Sequence, residues 1–138
     1  MIVPSGRYIL VISDDSSIDN QLRRALTPIT PDCTVEVVCS RTEVEAAPTP
    51  SLILLDLMLS QEQPFDLLSW LRTESRYTGV PVFVLGSKIL SHDVDRAFAL
   101  GANSCLLKDS EQHGLAKIVP AIAAYASLIE RFGCPTCA

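Results

Sequence analysis

Four places in the sequence carry residues able to act on a cation or a phosphoryl group if the fold brings them together. They are the acids Asp14 and Asp15, the acid Asp56, the Gly86-Ser87 pair, and Lys108. Carboxylates gathered at one point repel, so they either raise a pKa or hold a cation. With oxygen donors and no His or Cys alongside, that cation is a hard ion such as Mg²⁺ rather than zinc. A lysine across the site neutralises the remaining charge or holds a phosphoryl oxygen as a point charge. A hydroxyl or backbone amide at Gly86-Ser87 adds a hydrogen bond to the same oxygen. A carboxylate nucleophile, a metal, a lysine and amide donors together suit the formation of an aspartyl phosphate.

The elements that must position these groups are legible from apolar runs and their punctuation. Leu52 to Leu55 is an unbroken apolar run that ends on Asp56 and follows Pro48-Thr49-Pro50, which forbids a helix leading in. That is the pattern of a strand buried on both faces. Tyr8 to Ile12 is a second such run, ending in Ser13-Asp14-Asp15-Ser16-Ser17. Ser16 or Ser17 caps a helix carrying Ile18, Leu22 and Leu26 on one face, and Pro28 and Pro31 end it. Thr34 to Cys39 alternates and is β-branched, a strand near a sheet edge. Ser40 to Ala47 is a short helix capped by Ser40 or Thr42, with Glu43 as capping-box partner to Ser40.

Phe65 to Arg76 has the periodicity of an amphipathic helix stopped near Gly79. Val80 to Leu85 is a buried strand with Pro81 at its first position. Ser91 caps a helix from His92 to Leu100, with Gly101 as its stop. Cys105 to Leu107 is a short strand ending at Lys108. Leu115 to Phe132 is a last helix, kinked or begun at Pro120. Strict alternation of five strands and five helices means a parallel sheet with helices on both faces. In such a sheet the loops after the strands share one edge, where open α/β folds place their ligands. Asp14 and Asp15, Asp56, Gly86-Ser87 and Lys108 therefore meet at one rim.

Composition narrows the classes. A chain of 138 residues, 48% hydrophobic and 20% charged, is an ordinary globular domain. Its net charge of −5 argues against nucleic acid as a partner. No apolar run reaches the roughly 18 residues that cross a bilayer, so no membrane is expected, and Met1 to Arg7 lacks the layout of a secretory signal. Cys33, Cys39 and Cys105 sit in or beside apolar runs, as reduced core thiols of a cytoplasmic protein do. Cys134 and Cys137 have the spacing of half a zinc knuckle or a redox pair, but a second pair is missing. His92 and His113 read as solvated, and Trp70 as packing.

Four segments together resemble the receiver domain of bacterial response regulators: Tyr-Ile-Leu-Val-Ile-Ser-Asp-Asp, Leu-Ile-Leu-Leu-Asp-Leu-Met-Leu, Val-Pro-Val-Phe-Val-Leu-Gly-Ser and Gly-Ala-Asn-Ser-Cys-Leu-Leu-Lys. The resemblance spans Tyr8 to Phe132. It implies a flavodoxin-like (βα)5 fold of strand order 2-1-3-4-5, with a receiver over residues 1–132 and a tail over 133–138. It implies Asp56 as the phosphoacceptor and Lys108 as the phosphate contact. Mg²⁺ would be held by Asp14, Asp15, Asp56 and the Met58 backbone carbonyl. The implied donor is a histidine kinase or phosphotransfer protein, and the implied homodimer or effector face lies on the fourth and fifth helices. A receiver is a phosphoacceptor module, not an enzyme acting on a separate substrate.

Departures from that pattern are equally specific. The first strand of the family usually ends in two acids, and here Ser13 and Asp14 take those places, with Asp15 one further on. The switch hydroxyl falls on Gly86, with Ser87 adjacent, and the switch aromatic on Cys105. The proline common four residues after the phosphoacceptor is Ser60, and the one after the lysine is Asp109. These changes favour an alternative, a phosphorylation-independent pseudo-receiver that acts as a protein-interaction module. Other classes fit worse. A haloacid-dehalogenase-like phosphatase needs an acid where Met58 stands. A dinucleotide fold needs Gly-x-Gly-x-x-Gly after the first strand, and a flavodoxin needs a glycine-rich phosphate loop that Ser13 to Asn20 lacks.

Overall fold

The unbroken apolar runs do become strands. In a computed structural model of the chain, which describes residues 8–15, 17–26, 33–87, 89–107, 120–122 and 124–125, the elements run β1 (Tyr8–Ile12), α1 (Ile18–Leu26), β2 (Thr34–Val38), α2 (Arg41–Ala46), β3 (Leu52–Asp56), α3 (Pro64–Thr73), β4 (Val82–Gly86), α4 (Ser91–Ala99) and β5 (Ser104–Leu107). All strand pairs are parallel and the order is β2-β1-β3-β4-β5. This is the expected flavodoxin-like topology, and β2, the alternating strand, lies at the edge.

Side-chain parity along the strands divides the core in two. Leu10, Ile12, Ile53, Leu55, Val82 and Val84 pack with Val44, Leu67, Leu68, Leu71 and Ala97, so α2, α3 and α4 cover one face. Ile9, Val11, Leu52, Leu54, Phe83 and Leu85 pack with Ile18, Leu22, Leu26 and Ile122 on the other. Residues 120–122 and 124–125 are helical, and Tyr125 meets Phe83 edge-on with ring centroids 5.0 Å apart. Helical Pro120 agrees with the expected last helix, of which the remainder lies outside the described residues, as do Lys108, Asp109, His113, Cys134 and Cys137. Among the described residues no helix is long and apolar enough to cross a membrane, and Cys39 and Cys105 are free thiols.

The boundaries differ from expectation in ways that backbone hydrogen bonding explains. Pro81 precedes β4 rather than opening it; lacking an N–H, it contributes only its carbonyl, which accepts from Ile53 N at 2.9 Å. Helix α3 starts on Pro64 at a position where no N–H is needed, and ends three residues before Arg76. Ser91 is the first residue of α4 and not its cap; Leu90 holds that position, and its N–H donates to the Asp93 carboxylate. Asp93 is therefore part of the helix start. Ser40 caps α2 as expected, accepting from Glu43 N at 3.3 Å, while the Glu43 carboxylate reaches back to Cys39 N rather than Ser40 N. The Cys39 thiol also donates to Glu43 Oε1, at 3.3 Å, and this bond is the main reason its pKa is pushed up.

Candidate functional site

Asp56 stands at the C-terminal end of the central strand, flanked by the ends of β1 and β4. Residues 52, 54 and 56 face α1, as do residues 9 and 11 of β1, and the next residue of that parity is Ser13. Because Ile12 pairs with Leu55 in register, one further step brings Ser13 beside Asp56. Both are buried, at 2% and 1% exposure. The Ser13 hydroxyl donates to Asp56 Oδ2 at 2.7 Å, and Met58 N–H donates to Oδ1 at 2.9 Å. Two donors on two oxygens fix the plane of the carboxylate. Ser13 is itself fixed, because its Oγ accepts Asp15 N–H at 3.0 Å and its N–H donates to Val38 O at 2.9 Å.

The other two acids are committed elsewhere. Asp14 Oδ2 accepts both the N–H of Ser60, at 2.6 Å, and its hydroxyl, at 2.7 Å. The hydroxyl bond, then the amide bond, hold the Asp14 carboxyl below the usual carboxylate range. Asp15 Oδ1 accepts the N–H and hydroxyl of Ser17, at 2.9 and 2.7 Å, an Asx turn that leads into α1. The helix start expected of Ser16 or Ser17 thus depends on Asp15. The expected three-acid cation set of Asp14, Asp15 and Asp56 does not assemble. Among the described residues no three of His, Cys, Asp and Glu stand together as a group able to hold a metal. The residue beside Asp56 is a hydroxyl, which brings no charge to offset a divalent ion. Asp14 Oδ2 and both Asp56 oxygens accept hydrogen bonds from the protein, so in this arrangement the donors are not set for the Mg²⁺ that the family resemblance implies.

The remaining expected positions are placed as follows. Met58 contributes its N–H to Asp56, and its side chain is exposed. Gly86 ends β4, buried, and a Cβ built on it would lie 2.7 Å from Ile89 Cγ1 and 3.7 Å from Leu57 Cδ1. Ile89 thus fills the space that a side chain at the switch-hydroxyl position would need, and Ser87 is only half-buried. Cys105 pairs with Val84 and packs against the α3–α4 side of the core, where burial pushes its thiol pKa up.

Gly86→Ala is expected to cost about 1–3 kcal/mol, because the branched Ile89 stem must move. Ile89→Ala should relieve most of that cost, a coupling of roughly 1 kcal/mol or more in a double-mutant cycle read by urea unfolding. Additive single and double variants would show that Ile89 does not occupy the space. Sequence reading had no signal for Ile89 or for the Ser60 bond. Ser13 could have been found from parity, since it lies in phase with Ile9 and Val11.

A parallel sheet of this strand order with a buried, hydrogen-bonded aspartate at the end of its central strand defines a receiver-type α/β module. Comparison with known proteins agrees: residues 9–120 match the response regulator receiver domain, and the chain belongs to that family, which places it in two-component signalling. It is 32% identical over 76 residues to the probable methanogenesis regulatory protein FilR2 of Methanothrix harundinacea, covering 55% of this chain and 49% of that protein. The chain therefore matches about half the length of that curated relative. The signal receiver domain of a DNA-binding response regulator from Colwellia psychrerythraea superposes with a TM-score of 0.74 at 19% identity, covering 88% of this chain and 98% of that one. The Mn²⁺-bound form of response regulator Rcp1 superposes with a TM-score of 0.68 at 23% identity, covering 94% and 96%. At these identities the two structures speak for the fold.

Proposed function

We propose that this chain is a receiver that accepts a phosphoryl group on Asp56 from a histidine kinase or phosphotransfer protein. The observation that carries the reading is the Asp56 carboxylate itself, held in one plane at the ligand-binding edge of the sheet by Ser13 Oγ and Met58 N–H. In the transfer, an Asp56 oxygen bonds to phosphorus as the P–N bond of the phosphoimidazole breaks. The electron pair goes to the imidazole nitrogen, which takes a proton from water, and the product is an acyl phosphate. Lys108, assigned by the resemblance, would meet the phosphoryl oxygens as a point charge. A receiver acting in this way is a phosphoacceptor with self-phosphorylation and self-dephosphorylation as its only chemistry. Residues 1–132 form the module in this reading.

An effector or second copy would meet the fourth and fifth helices. Leu90 and Phe98, at the start and near the end of α4, and Leu107 on β5 present exposed apolar surface there. To test the proposal, the full chain is incubated with phosphoramidate, whose P–N bond is chemically like that of phosphohistidine. The expected product is a single phosphoryl adduct that hydroxylamine removes, as it does an acyl phosphate. An adduct stable to hydroxylamine would count against Asp56.

A second reading, the pseudo-receiver that signals by binding alone, is favoured by the apolar filling of the Gly86 position by Ile89. It predicts that regulation of the partner survives Asp56→Asn, whereas loss of regulation would exclude it.

A further inference from the structure

We infer that Ser13 and Ser60 together form a two-serine latch that keeps the carboxylates of this site from binding a divalent cation. Each serine departs from the family resemblance in a way that acts on one acid. At position 13 an acid is replaced by a hydroxyl, which removes one negative charge and donates to Asp56 Oδ2 at 2.7 Å. At position 60 the commonly expected proline has no N–H and no hydroxyl. Ser60 has both, and both donate to Asp14 Oδ2, at 2.6 and 2.7 Å. The bond spans 46 residues of chain, so it ties the loop after β1 to the loop after β3.

A cation would have to displace these donors and would meet one carboxylate fewer than the family pattern presents, because a hydroxyl stands at position 13. Affinity for hard ions falls with the ligand charge count and with loss of a preset oxygen geometry. The hydrogen bonds occupy both Asp56 oxygens and Asp14 Oδ2 in the cation's absence. The latch concerns the unphosphorylated chain, so it stands or falls separately from phosphoryl transfer.

The test is direct binding of Mn²⁺, as a probe for Mg²⁺, to the full chain by isothermal titration and by water-proton relaxation. Wild type is compared with Ser13→Asp, Ser60→Pro and the double variant. Ser13→Asp restores a carboxylate beside Asp56, and Ser60→Pro releases Asp14. The expected result is that each folded variant binds Mn²⁺ about tenfold tighter than wild type or better, a difference of about 1.4 kcal/mol. The gain should disappear when Asp56→Asn is added. Thermal unfolding supplies a second readout: added Mn²⁺ should raise the Tm of the variants more than that of wild type. Ser60→Ala, which loses only the hydroxyl, keeps the test open should the proline variant fail to fold; it should show a smaller gain of the same sign. Folded variants that bind no tighter than wild type, or a gain that survives Asp56→Asn, would overturn the latch.

Discussion

Asp56→Asn is expected to abolish phosphoryl uptake while leaving the chain folded. The amide oxygen cannot act as the nucleophile, so no acyl phosphate forms. The local hydrogen bonds survive in altered form: the amide oxygen still accepts Met58 N–H, and the amide NH₂ meets Ser13 Oγ, which can accept as well as donate. The change in stability should therefore stay within about 1 kcal/mol. Asp56→Ala differs instructively. It leaves the buried Ser13 hydroxyl and the Met58 N–H without their acceptor, at a cost of about 1–3 kcal/mol. Intact mass and urea unfolding of both variants separate loss of chemistry from loss of fold. An adduct on the asparagine variant would place the phosphoacceptor elsewhere.

The largest effect on stability is expected from Arg72→Ala. This residue of α3 is the fastener between two loops. Its Nε donates to Gly101 O at 2.9 Å, its Nη1 to Tyr77 O and Val80 O at 3.0 and 2.9 Å, and its Nη2 to Asn103 Oδ1 at 2.8 Å. Asn103 Oδ1 in turn accepts Val82 N–H at 2.9 Å, which carries the network into the start of β4. Burial pushes the guanidinium pKa down, but not enough to unload a group whose charge is retained throughout the physiological range.

Truncation to alanine strands several part-buried carbonyls at once. It is expected to cost roughly 3 kcal/mol, a large share of an ordinary domain's stability. Lysine should recover only a fraction, because an ammonium cannot reproduce the planar fork. Gly101 belongs to the same arrangement. Its φ of 106° is open to glycine, and a Cβ there would lie 2.7 Å from Arg72 Cγ. Urea unfolding checks the prediction, and a loss below about 1 kcal/mol for Arg72→Ala would show the network to be dispensable.

What was legible in the sequence follows from how local each signal is. The apolar run of Leu52 to Leu55 between prolines and an acid could only be a buried strand, and alternation with helical periodicities then dictated the parallel sheet and its ligand-binding edge. Asp56 was legible for that reason. The fate of Asp14 was not, because its partner Ser60 lies on another loop, and a hydroxyl in a polar stretch gives no sign of what it binds. The Asx turn at Asp15 was not legible either, because an Asx turn and a metal ligand call for the same residue type. The closure over Gly86 depends on the rotamer and path of Ile89, which periodicity does not reveal. Arg72 gave no sign of its role, because its five acceptors are spread over the loops that lead into β4 and β5. Hydrogen bonds between loops decide the chemistry here, and loops are where single-sequence patterns carry least.

Phosphoryl transfer to Asp56 is the chemistry proposed for this site. Its most direct test is peptide-level mass spectrometry of the wild-type chain after incubation with acetyl phosphate and Mg²⁺, at donor and metal concentrations high enough to offset weak cation binding. The expected result is one phosphoryl group on the peptide containing Asp56 and on no other. A folded chain that takes up no phosphoryl group from acetyl phosphate or phosphoramidate, or takes it up at another residue, would contradict it.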